Sequence, residues 1–168
     1  MRTLLFVPIH ALLLALAFTA SLRAEIKVGQ VFPALADASL TGGVAPDTKG
    51  KILVVDFWAS WCAPCKASFP ALGKISAEYA ARGVTLVGIS VDESVSAYAA
   101  FVKKQAPPFL TLHDAQQKLV RVVQVPTMPT TYVVGRDGKV RFRHDGYHGD
   151  ATDKQLRAEL DTLLAEKS

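Results

Sequence analysis

Two cysteines occur in this chain, and they stand three apart in Trp61-Cys62-Ala63-Pro64-Cys65. Two thiols at that spacing can form and break a disulfide with each other and with a partner. The attacking species in such exchange is the thiolate. A helix N-terminus offers unpaired N–H groups and partial positive charge, so it favours an anion there. The apolar run Ile52-Leu53-Val54-Val55-Asp56-Phe57-Trp58 precedes the pair and reads as a strand. Cys65, Phe69, Leu72, Ile75 and Tyr79 then recur at helical steps. Cys62 therefore falls at a helix N-terminus, where its pKa is lowered, and Cys65 falls one turn in, able to close the disulfide.

The flanking residues fit that placement. Pro64 belongs in a first helical turn, where its missing N–H costs nothing. Pro70 removes the bond to the Lys66 carbonyl and is expected to kink the helix. The other readings of a C-x-x-C are weaker here. As a structural staple it closes a very small loop, contributing about 2 kcal/mol. A zinc site needs four ligands, and only the scattered His113, His144 and His148 could complete one. Haem attachment needs a histidine after the second cysteine, where Lys66 stands.

The elements around the pair follow in order. Val28 to Leu40 reads as an extended lead-in with a strand, and Thr41-Gly42-Gly43 as a hairpin turn. The cysteine-bearing helix runs from about Cys62 to Ala81 and stops at Arg82-Gly83. Val84 to Val91 is a buried, parallel central strand. A helix from about Ser94, capped by Asp92 or Ser94, reaches Gln105 and ends at Pro107-Pro108. A short extended piece from Phe109 to His113 and a short helix from Ala115 to Gln124 come next. Thr130 to Val134 and Lys139 to His144 form a hairpin around Asp137-Gly138. A final amphipathic helix spans Thr152 to Glu166. Strands alternating with helices, then a hairpin and a helix, predict an α/β fold: a mixed central sheet with helices on both faces. His144 and His148 read as solvated loop histidines, and no metal site is expected.

The chain has 168 residues, enough for one domain with its own core. Residues 1–24 read as a secretory signal peptide, with an uncleaved anchor as the variant. Residues 25–168 form the domain. No cysteine near residue 24 could carry a lipid. Export places the pair in an oxidising compartment, the periplasm of a bacterium, where a working pair needs an upstream redox partner. Residues 1–24 hold Arg2 and Arg23 and no acid, so the formal charge of +4 becomes +2 without them. So balanced a charge gives no argument for nucleic acid or a membrane surface as partner.

F-W-A-S-W-C-A-P-C-K, followed far downstream by M-P-T-T-Y-V-V-G-R-D-G-K-V, resembles the thioredoxin superfamily. More narrowly it is similar to the exported TlpA/ResA-like thiol–disulfide oxidoreductases, as are G-Q-V-F-P-A-L and K-G-K-I-L-V-V-D-F-W-A. The resemblance covers residues 28–166. It implies a thioredoxin-like fold with an N-terminal hairpin extension and an inserted strand–helix unit between about Ser94 and Gln124.

It also implies roles. Cys62 is the nucleophile and Cys65 the resolving thiol. Pro129, preceded by Met128, is the family's cis-proline, on a loop that faces the disulfide and binds a partner's extended chain. Trp61, Ala63, Pro64, Met128 and Thr130 line the partner's path. Asp56 matches the thioredoxin aspartate that helps deprotonate the resolving cysteine. Many TlpA-like proteins instead carry a glutamate three residues after the second cysteine, where this chain has Ser68. The implied activity is reduction of partner protein disulfides without a cofactor, by a monomer re-reduced by a membrane thiol donor. Cytochrome c biogenesis is one candidate setting. The alternatives on the same fold are a peroxiredoxin-type peroxide reductase and a non-enzymatic copper metallochaperone.

Overall fold

The computed structural model describes residues 25–166. The proposed signal peptide and anchor, residues 1–24, lie outside the described residues. Nine elements follow the lead-in segment. They are β1 (Ile52–Trp58), α1 (Ala63–Tyr79), β2 (Val84–Ser90), α2 (Val95–Gln105), β3 (Leu110–His113), α3 (Lys118–Val123), β4 (Thr130–Val134), β5 (Val140–Asp145) and α4 (Asp150–Ala165). The five strands form one sheet in the order β3-β2-β1-β4-β5. β1, β2 and β3 run parallel, while β4 is antiparallel to both β1 and β5. This is the mixed sheet that the order of elements predicts.

β1 sits at the centre, and all seven of its residues are buried. A strand covered on both faces must be apolar on both, and Asp56 is the one charged side chain in it. Alternation sends Asp56 and Trp58 to one face and Phe57 to the other. On the first face the Trp58 ring packs against Phe69 of α1 at 5.1 Å and Phe101 of α2 at 4.8 Å. α4 crosses the same face and is tied to α1 by the Tyr79 hydroxyl donating to the Arg157 carbonyl and by Arg157 with Glu78. On the second face Phe57 meets Tyr132, which meets Phe32 of the lead-in. That lead-in is held to the end of α3 by the Ile26 N–H donating to the Val123 carbonyl.

Several local expectations change. The N-terminal hairpin does not form among the described residues. The lead-in instead touches the sheet through two isolated bridges, Val31 with Lys139 and Thr41 with His113. The turn at Thr41-Gly42-Gly43 thus brings the chain to the edge strand β3, not back onto itself. Ser94, not Asp92, caps α2, its hydroxyl accepting from the Ala97 N–H. α1 runs through Pro70 as one helix and ends in a short 3-10 turn closed by Gly83 at φ +89°. The inserted unit is helix, strand and helix: α2, then β3 on the sheet edge, then α3.

His144 is not a solvated loop residue. It is the fifth residue of β5, buried, and its Nε2 lies 2.7 Å from Glu159 Oε2 on α4. A histidine on an inward strand position finds a carboxylate because both must be partnered once buried.

Candidate active site

β1 ends at Trp58, and the chain turns through Ala59-Ser60-Trp61 into α1. Cys62 is the residue just before that helix, in extended conformation, and its sulfur accepts from the Cys65 N–H at 3.2 Å. A sulfur in the N-cap position thus meets one of the helix's free donors. The two cysteines are joined in a disulfide. Cys62 keeps 4% of its surface exposed and Cys65 none. Only Cys62 is open to an incoming sulfur, so geometry orders the pair as outer and inner. Trp61 beside it is 69% exposed, while Ala63 and Pro64 also face solvent.

Beneath the helix lies Asp56. It shares the face of β1 that carries Trp58, and Trp58 packs on Phe69, one helical turn after Cys65. Its Oδ1 accepts from the Thr131 hydroxyl at 2.6 Å, and its Oδ2 is buried with no hydrogen-bond partner. Burial pushes the Asp56 carboxyl up to about 7, and the Thr131 hydroxyl pulls the other way. A carboxyl near neutrality can both take and return a proton at ordinary pH. Ser68, in the position where a TlpA-like glutamate is expected, is buried and donates to the Cys65 carbonyl at 2.9 Å. It satisfies a backbone acceptor and brings no second carboxylate to the site.

Pro129 closes the other side. Thr130 opens β4 and pairs with Phe57, so Met128 and Pro129 lie level with the end of β1 where the chain departs for Cys62. The Met128–Pro129 peptide bond is cis, as the resemblance implies. The Pro129 carbonyl accepts from the Gly146 N–H and the Thr130 hydroxyl donates to the Thr127 carbonyl. Pro129 and Thr130 are buried, and Met128 is half-buried.

Two residues beyond the expected set complete the site. Thr131 holds Asp56. Asp92, at the end of β2, receives the Ser60 N–H on both carboxylate oxygens at 3.2 and 3.0 Å, and the hydroxyls of Ser60 and Ser90 at 2.8 Å each. Those bonds hold the turn that leads into Trp61 and Cys62. The Asp92 carbonyl in turn lies 2.7 Å from Nε2 of the buried His113. In the sequence Asp92 reads as a helix cap and Thr131 as one more strand threonine. Only the β1–β4 register, with Asp56 opposite Thr131, brings out the latter. No group of three or more potential ligands that could hold a metal ion occurs among the described residues.

Comparison with known proteins agrees with this geometry. The model of the AhpC/TSA family matches residues 28–143. The thiol-disulfide oxidoreductase ResA of Bacillus anthracis is 28% identical over 140 residues, covering 82% of this chain and 79% of that protein. A crystal structure assigned as the thiol:disulfide interchange protein DsbE of Chlorobium tepidum aligns with a TM-score of 0.77 at 29% identity, covering 84% of this chain and all of that one. A secreted Mycobacterium tuberculosis disulfide oxidoreductase, described as homologous to E. coli DsbE, aligns at 0.61 and 27% identity, covering 72% and 88%.

Proposed function

From a chain that belongs to the AhpC/TSA family and is a thiol–disulfide oxidoreductase of the ResA/DsbE type, we propose a protein-disulfide reductase working outside the cytoplasm. The observation that carries this reading is the pairing of an outer and an inner cysteine with a buried, near-neutral carboxyl on the face of β1 that α1 covers. Cys62 thiolate, stabilised at the start of α1, attacks a partner disulfide. One partner sulfur leaves as thiolate, and a mixed disulfide joins Cys62 to the other. Asp56 takes the proton of Cys65. The electron pair left on the Cys65 sulfur attacks Cys62, and the second partner sulfur leaves. Two electrons have passed to the partner, and the enzyme holds the Cys62–Cys65 disulfide. A membrane thiol donor restores the dithiol by the same exchange in reverse.

In this reading the partner's chain lies between Trp61, with Ala63 and Pro64, and the Met128-Pro129-Thr130 loop. Residues 1–24 direct export. No described helix is long and apolar enough to cross a membrane. The domain acts as a monomer on protein disulfides.

The reduction potential of the Cys62–Cys65 pair, set by equilibration with dithiothreitol or glutathione buffers, tests the direction of electron flow. A value near that of thioredoxin, about −270 mV, is expected. A value near that of the strong oxidant DsbA, about −120 mV, would make the protein a disulfide donor and overturn the reductase assignment.

A further inference from the structure

A base buried beneath a dithiol must present a free oxygen to the thiol. A carboxylate has two oxygens, and rotation of the side chain exchanges them. In this protein they are not equivalent. The β1–β4 ladder sets Thr131 directly opposite Asp56, and directly opposed residues project from the same face of the sheet. The Thr131 hydroxyl spends its single proton on Asp56 Oδ1 at 2.6 Å. Oδ2 stays buried and unpartnered. Thr131 is itself buried, so water does not replace its bond. An unpartnered buried oxygen costs stability, and this one sits on the face covered by the helix that carries Cys65.

We infer that Thr131 is a positioning residue for proton transfer: its hydroxyl fixes Oδ1 and reserves Oδ2 as the oxygen that receives the Cys65 proton. This rests on the reading of Asp56 as the base. The proton moves from the Cys65 sulfur to Oδ2, the electron pair left on that sulfur attacks Cys62, and the partner's sulfur leaves with the electrons of the broken bond. The same hydrogen bond favours the ionised carboxyl and so opposes the effect of burial. Thr131 therefore sets both the direction and the pH range of the step.

The other groups around Asp56 do not take this part. β2 places Gly88 opposite it, and α1 brings the cysteine pair. His144 of β5 and Glu159 of α4 share this face one strand further out and are bonded to each other. Tyr98 of α2 packs beyond Trp58 and donates to the Thr111 carbonyl.

The test uses Thr131→Val, which keeps the shape and deletes the hydroxyl, with Thr131→Ser restoring it. Two quantities are read against pH. One is the Asp56 carboxyl titration, by carbon NMR on the oxidised protein. The other is the rate at which Cys65 resolves a mixed disulfide between Cys62 and a model peptide. Loss of one hydrogen bond to the charged form should move both midpoints up by about one pH unit, a tenfold change. Thr131→Ser should bring them back, and in an Asp56→Asn background Thr131→Val should move nothing. If Asp56→Asn leaves the rate profile as it was, the base reading fails and takes this inference with it. If Asp56→Asn flattens the profile but Thr131→Val titrates like the parent, Thr131 alone loses its role.

Discussion

A carboxyl held away from water without a cation resists ionisation, and Asp56 is such a group. Its folded pKa of about 7 stands above the ordinary value of 3.8. The native state therefore binds more protons than the unfolded chain between those two values. Stability from this residue is complete below about pH 4 and is lost as the pH rises through about 7. Asp56→Asn removes the ionisation. In the oxidised protein it should raise stability at pH 8 by roughly 4 kcal/mol relative to the parent, with little gain at pH 4. Urea unfolding at the two pH values checks this; equal gains at both would mean that the charge is not what Asp56 costs the fold. In the mechanism proposed above, this costly group is the proton acceptor.

Among the elements, α1 brings the sulfurs, β1 the carboxyl and β4 the threonine, and the sheet ladder makes them neighbours. β5 and α4 close the same face through His144 and Glu159, with Gln155 donating to the second Glu159 oxygen. Glu159→Leu would leave a ring nitrogen of a buried histidine without its partner. A loss of about 2 kcal/mol in stability is expected, measured as a lower urea midpoint with an unchanged slope. An unchanged midpoint would mean that the pair contributes nothing. The lead-in depends on a different constraint. Gly42 has φ +87°, and a side chain there would begin 2.3 Å from the Tyr98 hydroxyl. Gly42→Ala should therefore lower the thermal midpoint by several degrees through backbone strain and collision together. A midpoint equal to the parent's would show that the Tyr98 ring yields freely.

At the scale of the whole molecule, most large apolar side chains among the described residues are buried, and Trp61 is left out on the surface beside the disulfide. In the proposed reading it serves a partner and not the core. Trp61→Ala should leave folding stability within roughly 0.5 kcal/mol. It should lower kcat/KM for a protein disulfide several-fold more than for a small disulfide such as oxidised glutathione. Equal losses on both substrates would assign Trp61 to the chemistry and not to partner binding. By itself the sequence determined what period and spacing encode: the strand before the cysteines, the helix that begins on Cys62, the β4–β5 hairpin and the order of sulfurs and carboxyl along the chain. Those are local properties, set by a two- or 3.6-residue repeat and by proline and glycine at fixed positions. It also carried the mixed sheet, because alternating strands and helices restrict the topology. The partners of buried polar groups were settled only in three dimensions. Thr131 meets Asp56 across 75 positions of sequence, Asp92 meets Ser60 across 32, and His144 meets Glu159 through a strand–helix packing. The lead-in likewise chose two sheet edges over its own hairpin. No local pattern encodes such choices, because a buried hydrogen bond is decided by which strands lie side by side and in what register.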